Sequence, residues 1–179
     1  MDNSDWVAGK LGNALHFDGV DDYVVIPGYK GITGTASRTC CAWIKTSDST
    51  WWKDIIGWGN IEAGQRWLVT ISPEGFVQIA VVDGYQRGTM AVNDGQWHHI
   101  AVVLADDGSP STNEIKIYID GIQEGSYSTL TAPINTGSTP NVQIGFYNDT
   151  SNRYFNGLID DVRIYDRALS AAEIAKISQ

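Results

Sequence analysis

The sequence predicts an all-β fold, an antiparallel β-sandwich with one short helix at its C-terminal end. Short apolar or alternating segments recur through the 179 residues. Turn residues separate these segments at close intervals, chiefly as Asp-Gly pairs such as Asp18-Gly19, Asp83-Gly84 and Asp94-Gly95. Helical segments of about 10–15 residues are missing between the segments, which excludes a parallel sheet built from βαβ units.

The predicted strands share apolar or β-branched residues and end at Gly, Asp, Asn or Pro. They are Ala14–Phe17, Tyr23–Ile26, Thr39–Lys45, Ile55–Trp58, Trp67–Ser72, Phe76–Val82, Thr89–Val92, Trp97–Leu104, Ile115–Ile119, Gln123–Tyr127, Val142–Phe146 and Gly157–Tyr165. Asp120-Gly121 predicts a two-residue hairpin, because a type I′ turn needs positive φ at both central residues.

The C-terminal segment predicts a helix that begins after Ser170. This residue is a favourable N-cap, Glu173 completes a capping box, and Ile174 and Ile177 lie on one helix face. Linkers, repeats and low-complexity segments are not found. We therefore expect residues 1–179 to form a single domain, excised from a larger multidomain protein.

Composition narrows the classes of function. The chain has 12 Lys and Arg against 21 Asp and Glu, a net charge of −9. An acidic chain without a cluster of basic residues is not expected to bind nucleic acid, because the phosphates require clustered Lys and Arg. Apolar runs of about 18 residues are absent, so no membrane insertion is expected. Adjacent Cys40 and Cys41 would point to opposite faces of a strand, which favours two buried thiols over a disulfide or a zinc site.

Five segments, in order, resemble the LamG-like jelly-roll family within the concanavalin A-like lectin/glucanase superfamily. They are WVAGKLGNALHFDGVDDYVVIP, TCCAWIKT, DGQWHHIAVV, IKIYIDGIQEG and GLIDDVRIYDRALSAAEI, and together they run from Trp6 to Ile177. The resemblance implies a jelly-roll sandwich. Family members usually carry a further strand before the segment that starts at Trp6, so an exposed sheet edge near Gly157–Tyr165 is one expectation.

The resemblance also implies a structural calcium ion. Mapped onto this chain, the ligands would be Asp18 and Asp160, with Asp21 and Asp22 as further candidates. Calcium takes about six to eight oxygen ligands, and Asp-Gly turns present carboxylates and carbonyls together. Strand parity places Asp160 on an apolar face, where a carboxylate needs a cation or several donors. The alternative is that Asp160 accepts backbone N–H groups and Asp18 only shapes its turn.

Catalytic motifs are not found. The E-x-D-x-x-E pattern of glucanases of this fold class is absent around all five Glu residues, so a paired carboxylate site is not apparent. His98 and His99 would point to opposite sides of a strand and could not bind one ion together. We therefore expect a non-catalytic domain.

The seven Trp residues carry most of the functional information. Exposed indoles are favourable where a ligand covers them, and sugar rings stack on Trp and Tyr while polar side chains bind the hydroxyls. The candidate ligand-binding residues are Trp51, Trp52, Trp58, Trp67, Asp83, Tyr85, Arg87, Tyr147, Asn148, Arg153 and Tyr154. The alternative places Trp58 and Trp67 in the core and uses Trp51 or Trp52 to hold a loop.

Together these features predict a non-catalytic module that binds polysaccharide or another glycan and is stabilised by calcium. We expect the module to be linked to catalytic or surface domains of a secreted or cell-surface protein. Two alternatives are a protein-binding or adhesion domain and a structural spacer. A glycoside-active enzyme is the least favoured interpretation, since the required pair of carboxylates is not apparent.

Overall fold

The computed structural model of the protein describes residues 5–147 and 152–179. Within these ranges the chain forms short strands, one 3₁₀ turn at Thr112–Glu114 and one helix. The strands are β1 (Trp6–Ala8), β2 (Asn13–Asp18), β3 (Val24–Val25), β4 (Arg38–Lys45), β5 (Lys53–Gly59), β6 (Arg66–Ile71), β7 (Phe76–Val81), β8 (Gly84–Ala91), β9 (Trp97–Leu104), β10 (Lys116–Ile119), β11 (Ile122–Gln123), β12 (Gln143–Ile144) and β13 (Asn156–Tyr165), and the helix is α1 (Ala171–Ile177).

The strands form two antiparallel sheets that pack face to face, which confirms the predicted sandwich. One sheet has the order β1-β2-β13-β4-β9-β10-β11, and the other has the order β3-β12-β5-β6-β7-β8. One apolar cluster from both sheets fills the space between them, with Ile44 and Val102 from the first sheet and Val69 and Ile79 from the second. Period-two alternation along each strand directs these side chains inward.

The hairpin predicted at Asp120-Gly121 is confirmed. Ile119 pairs with Ile122 across a two-residue turn. The φ angles of Asp120 and Gly121 are 51° and 81°, the positive values that this turn requires. Several strands differ from prediction. Strand β1 was not expected, and β8 begins directly after the Asp83 turn. Strands β3, β11 and β12 each contain two residues, fewer than expected.

The closing strand β13 is not a sheet edge. It pairs with β2 through Asn156–Ile159 on one side and with β4 on the other, so it lies inside the sheet over that segment. A β-bulge lies between Asp160 and Arg163, and Asp161 has a φ of 48°. The extra residue reverses the parity of the strand. Asp160 consequently lies opposite Trp43 on the outer side, whereas Val162 and Ile164 pack against the core.

Helix α1 covers part of the outer side of the seven-stranded sheet. The side chain of Ser170 accepts the N–H of Glu173, and the Glu173 carboxylate accepts the N–H of Ser170, so the predicted capping box is present. Ile174 and Leu169 pack against Cys41 on the sheet, while Cys40 lies in the core between the sheets. Both thiols are buried and free, as the sequence predicted. None of the helices in the described ranges is long and apolar enough to span a membrane.

Candidate functional site

Two of the predicted ligand-binding tryptophans lie in the core. Trp58 and Trp67 are directly opposite each other on β5 and β6, and both side chains point between the sheets with 0% exposure. Their rings stack with centroids 5.9 Å apart. The Trp58 indole also donates to the carbonyl of Ile32 at 2.9 Å. The prediction that these two residues contact a ligand is therefore wrong, and the alternative weighed against it describes them correctly.

The opposite side of the six-stranded sheet, which we call the outer face, carries polar and aromatic side chains. Arg66, Leu68 and Thr70 alternate along β6 with the inward residues Trp67, Val69 and Ile71. Leu68 lies opposite Ala80 of β7, which in turn lies opposite Tyr85 of β8. Thr70, Gln78 and Arg87 form the next cross-strand row. Directly paired residues point to the same side of a sheet, so these rows form one continuous surface.

Tyr147 and Arg153 both contact β5 on this outer face. Tyr147 is fully buried, its ring lies against Gly57, and its hydroxyl donates to the carbonyl of Gly59. Burial raises the pKa of Tyr147 to about 12, although the charge of Arg66 opposes the shift. The carbonyl of Arg153 accepts the N–H of Asp54 at 2.9 Å. Tyr147 packs on the sheet and is not accessible to a ligand, which corrects its predicted role, and Asn148 lies outside the described residues.

Four predicted residues from three separate segments line one cavity on the outer face. They are Trp52, Asp83, Tyr85 and Arg153, and the cavity has a volume of about 400 Å³. The Arg153 guanidinium lies 5.9 Å from the centroid of the Trp52 ring. The Tyr85 hydroxyl is 2.8 Å from the Thr129 hydroxyl, and its backbone N–H donates to the carbonyl of Leu130. The cavity therefore combines two partly exposed aromatic rings with charged side chains at its rim.

Arg66, Gln78 and Leu130 also line this cavity, and the sequence analysis did not find them. The alternation of inward and outward residues along β6 and β7 could have predicted two of them, Arg66 and Gln78. Trp67, Val69 and Ile71 mark the inward positions of β6, so Arg66 must lie on the outward side. Gln78 follows from the same argument on β7. Leu130, which is 56% exposed, has no comparable periodic signal, since it belongs to an irregular segment.

The remaining predicted residues among those described, Trp51, Arg87 and Tyr154, do not line the cavity. Trp51 is 52% exposed, and the guanidinium of Arg87 lies over the rings of Phe76 and Tyr127. Tyr154 stacks on Phe146 with ring centroids 4.1 Å apart, and Tyr23 contacts both rings. This aromatic group adjoins β3 and β12, at the other lateral edge of the six-stranded sheet from β8.

A larger cavity of about 640 Å³ lies beside the loop of residues 46–50 and the strands β2 and β13. Its described lining includes His16, Lys45, Asp48, Asn156 and several hydroxyl-bearing residues, and it includes neither Trp nor Tyr. The smaller cavity has the aromatic surface on which a sugar ring can stack, so we take the smaller one as the candidate site.

The four predicted calcium ligands do not lie together. Asp18, Asp21 and Asp22 place one carboxylate oxygen each within 4.8 Å of one another. Asp18 pairs with Asn156 across β2 and β13, so Asp160 lies four residues further along β13, or roughly 13 Å at the usual strand rise. The Asp160 carboxylate instead accepts the N–H of Leu11 at 2.8 Å. Including Asp160 in the same ion site was therefore wrong.

The remaining three carboxylates have the chemistry that a calcium ion prefers. Hydrogen bonds from the backbone, first that of Val20, lower the pKa of Asp18, so its carboxylate is charged at neutral pH. Its Oδ1 atom accepts the N–H of Val20 at 2.8 Å, and the second oxygen of each carboxylate can face an ion. The three residues thus fit an oxygen-ligated cation, and calcium binding stays a prediction.

Comparison with known proteins places this architecture among the lectin-like β-sandwiches. A family profile described as the concanavalin A-like lectin/glucanases superfamily matches residues 18–175. The chain belongs to this superfamily.

Solved structures share the fold at low sequence identity. Domain 4 of AbnA, an extracellular arabinanase from Geobacillus stearothermophilus solved with arabinotriose, is 21% identical with a TM-score of 0.69, over 97% of this chain and 80% of that one. The CBM40 domain of the Ruminococcus gnavus IT-sialidase, also solved with α2,3-sialyllactose, is 14% identical with a TM-score of 0.64, over 89% of this chain and 97% of that one. A pentraxin from Limulus polyphemus is 16% identical with a TM-score of 0.60, over 92% and 80%.

Proposed function

We propose that this domain binds a polysaccharide or oligosaccharide through the outer face of its six-stranded sheet, without acting on it. The observation that carries the proposal is the cavity in which Trp52 and Tyr85 lie beside Asp83 and Arg153. Aromatic rings accept the apolar C–H face of a sugar, and the charged groups bind its hydroxyls. The complexes of the arabinanase domain with arabinotriose and of the sialidase domain with sialyllactose support this proposal for the shared fold.

The acidic groups at the cavity support binding rather than hydrolysis. Glycosidases use two carboxyl groups about 5–9.5 Å apart at the bond that they cleave. Asp83 is the carboxylate among the described residues that line the cavity. Asp54, on the neighbouring strand β5, is fully buried. We therefore propose a module that holds linked catalytic or surface domains of a secreted or cell-surface protein on their glycan.

Replacing Trp52 tests the site directly. Trp52→Ala removes the stacking surface, and burial of an aromatic ring contributes about 1.5–3 kcal/mol, so affinity should fall about tenfold or more. Isothermal titration against polysaccharides and oligosaccharides that bind the unmodified protein measures the change. Trp51→Ala is the matched control, because the neighbouring Trp51 is exposed but does not line the cavity.

Equal affinity of the Trp52→Ala variant and the unmodified protein would contradict the assignment of the site. Failure of the unmodified protein to bind any carbohydrate on a broad glycan array would contradict carbohydrate binding itself. Retained binding to a cell-surface protein in that case would favour an adhesion domain instead.

We also propose that Asp18, Asp21 and Asp22 bind calcium. Because a ligand of the native state stabilises it by mass action, calcium should raise the Tm of chelator-treated protein by several degrees. Asp18→Asn should remove this response, and its amide oxygen can still accept the N–H of Val20. Asp160→Asn is the control and should respond as the unmodified protein does. Identical thermal unfolding with calcium and with excess chelator would refute the ion site.

A further inference from the structure

Tyr127 is an exposed aromatic residue that lies beside the cavity, outside its lining. Its backbone N–H donates to the carbonyl of Arg87 on β8 at 2.8 Å, and the reverse hydrogen bond measures 3.0 Å. Directly paired residues point to the same side of a sheet. The guanidinium of the outward Arg87 accordingly lies 5.3 Å from the centroid of the Tyr127 ring. Tyr127, which is 48% exposed, therefore adds an aromatic surface to the outer face.

Arg87 supports this ring from one side. Its guanidinium lies over the ring of Phe76 at 5.0 Å as well as over the ring of Tyr127. A guanidinium is attracted to the face of an aromatic ring, so the two contacts restrict the orientation of the Tyr127 side chain. A ring that is already held in place loses little freedom when a ligand covers it, which favours binding.

One cross-strand row joins Tyr127 to the cavity and to the strand that follows Trp52. Arg87 lies opposite Gln78, which lines the cavity, and Gln78 lies opposite Thr70 of β6. The row continues onto β5, which begins directly after Trp52. Neighbouring strands lie about 4.8 Å apart, so the row spans roughly 19 Å from β5 to Tyr127. This length exceeds that of a single sugar ring.

We propose that Tyr127 forms a second sugar subsite and that the outer face binds several consecutive units of one linear polysaccharide chain. The inference rests on the proposed function of the site and adds the length of its ligand. Trp52 and Tyr85 bind sugar units in the cavity, and the amide of Gln78 binds hydroxyls of the chain as it crosses β6 and β7. The exposed face of Tyr127 stacks on a further sugar ring.

Oligosaccharides of increasing length test this inference. Isothermal titration compares linear arabino-, xylo-, cello-, manno- and galacto-oligosaccharides of two to six units. In a series that binds, the affinity of the unmodified protein should rise with length until the ligand reaches Tyr127. Tyr127→Ala should lower the affinity for the longest ligand about tenfold and leave that for the shortest unchanged, because only the long ligand reaches its ring. Trp52→Ala should instead weaken binding at every length.

Tyr23→Ala is the matched control for the loss of an exposed tyrosine. Tyr23 is 43% exposed and adjoins β3, at the other lateral edge of the six-stranded sheet from β8, so its removal should leave the affinity unchanged at every length. Tyr127→Phe keeps the ring and should bind nearly as the unmodified protein does. Tyr127→Leu keeps apolar packing without a flat face and should show the same length-dependent loss as Tyr127→Ala. It provides the test if the alanine variant does not fold.

A double-variant cycle tests the role of Arg87 as a positioning residue. Arg87→Gln should weaken binding of the longest ligand a fewfold and leave the shortest unaffected, because the Tyr127 ring loses its support. In a protein that already carries Tyr127→Ala, Arg87→Gln should cause no further loss. A further loss would show that Arg87 contacts the sugar directly and would overturn its role as a support for the ring.

The outcomes distinguish this inference from the proposed function. Unchanged affinity of Tyr127→Ala for the longest ligand would overturn the second subsite and leave carbohydrate binding at Trp52 intact. The same holds if the affinity of the unmodified protein does not rise with ligand length. If no oligosaccharide of any series binds, both the proposed function and the inference fail.

Discussion

Two neighbouring histidines show how position on a strand decides the behaviour of a side chain. His99 points to the outer side of the seven-stranded sheet and contacts the Trp43 ring edge to face, and burial lowers its pKa to about 4. His98 points the other way, where its ring nitrogens lie 2.8 Å from Asp120 and 3.2 Å from Asp94. Burial lowers the pKa of His98, but the hydrogen bonds and charges of Asp120 and Asp94 outweigh burial, so its pKa is raised.

The raised pKa of His98 predicts a pH-dependent contribution to stability. A group whose pKa is higher in the folded state stabilises most below its ordinary value of 6.5, and this contribution is lost as pH rises through the raised pKa. The difference in free energy of unfolding between the unmodified protein and His98→Gln should therefore shrink from pH 6 to pH 8, in about the range where histidine titrates. Urea unfolding at several pH values measures it. A difference that is constant or grows with pH would contradict this assignment.

At the scale of strands, Tyr147 can pack closely on β5 because Gly57 has no side chain. A Cβ atom on Gly57 would lie 2.7 Å from the ring of Tyr147 and 3.0 Å from Leu68. Tyr147 can lie flat on the sheet only because Gly57 leaves that space open. Asp54 of the same strand accepts the N–H of Tyr147 and donates its own N–H to the carbonyl of Arg153. We therefore expect a displaced Tyr147 to shift Arg153, which lines the cavity.

Gly57→Ala should therefore impair both stability and binding. The added methyl group must displace the Tyr147 ring, and such overpacking costs about 1–3 kcal/mol. Chemical denaturation measures the loss of stability, and titration with a bound glycan measures the loss of affinity. Gly88→Ala is the control, since a Cβ atom there would meet its nearest neighbour at an ordinary 3.6 Å. Unchanged unfolding and binding in Gly57→Ala would contradict the importance of the contact between Gly57 and Tyr147.

Structural features within single strands, turns and helices could largely be predicted from the sequence. The Asp120-Gly121 hairpin, the capped C-terminal helix and the opposite directions of Cys40 and Cys41 are local properties, and all were correctly predicted. The alternation along β6 contains the signal for the burial of Trp67. The burial of Trp58 was not decided by the sequence, because the adjacent Ile55 and Ile56 interrupt the alternation along β5. Only the pairing of β5 with β6 above the opposite sheet shows which face is inward.

At the scale of the whole molecule, the outer sides of the two sheets differ. The outer side of the seven-stranded sheet is partly covered by α1, and the outer face of the six-stranded sheet carries the open cavity. A cavity of about 400 Å³ covers few sugar units and buries little area, so a single domain should bind with modest affinity.

Two linked copies should therefore bind an insoluble polysaccharide far more strongly than one copy does. Once one site is occupied, the second binds at a high effective concentration, and the gain is about 10²-fold or more. A pull-down titration with single and tandem forms joined by a flexible linker measures the gain. A tandem form in which both copies carry Trp52→Ala should lose this gain in binding. Equal retention of the single and tandem forms on the polysaccharide would contradict binding to repeated sites along it.

The sequence by itself determined the all-β class, the turns, the helix cap and the presence of aromatic residues in loops, since these depend on local periodicity and backbone preference. It also identified four residues of the candidate cavity. The tertiary structure alone decided that Asp160 lies far from Asp18, because the register of β13 against β2 sets that separation. It likewise brought Arg66 to Trp52 and Arg153, which are distant in the chain. Both outcomes depend on strand pairing, a non-local interaction that residue patterns within one segment do not specify.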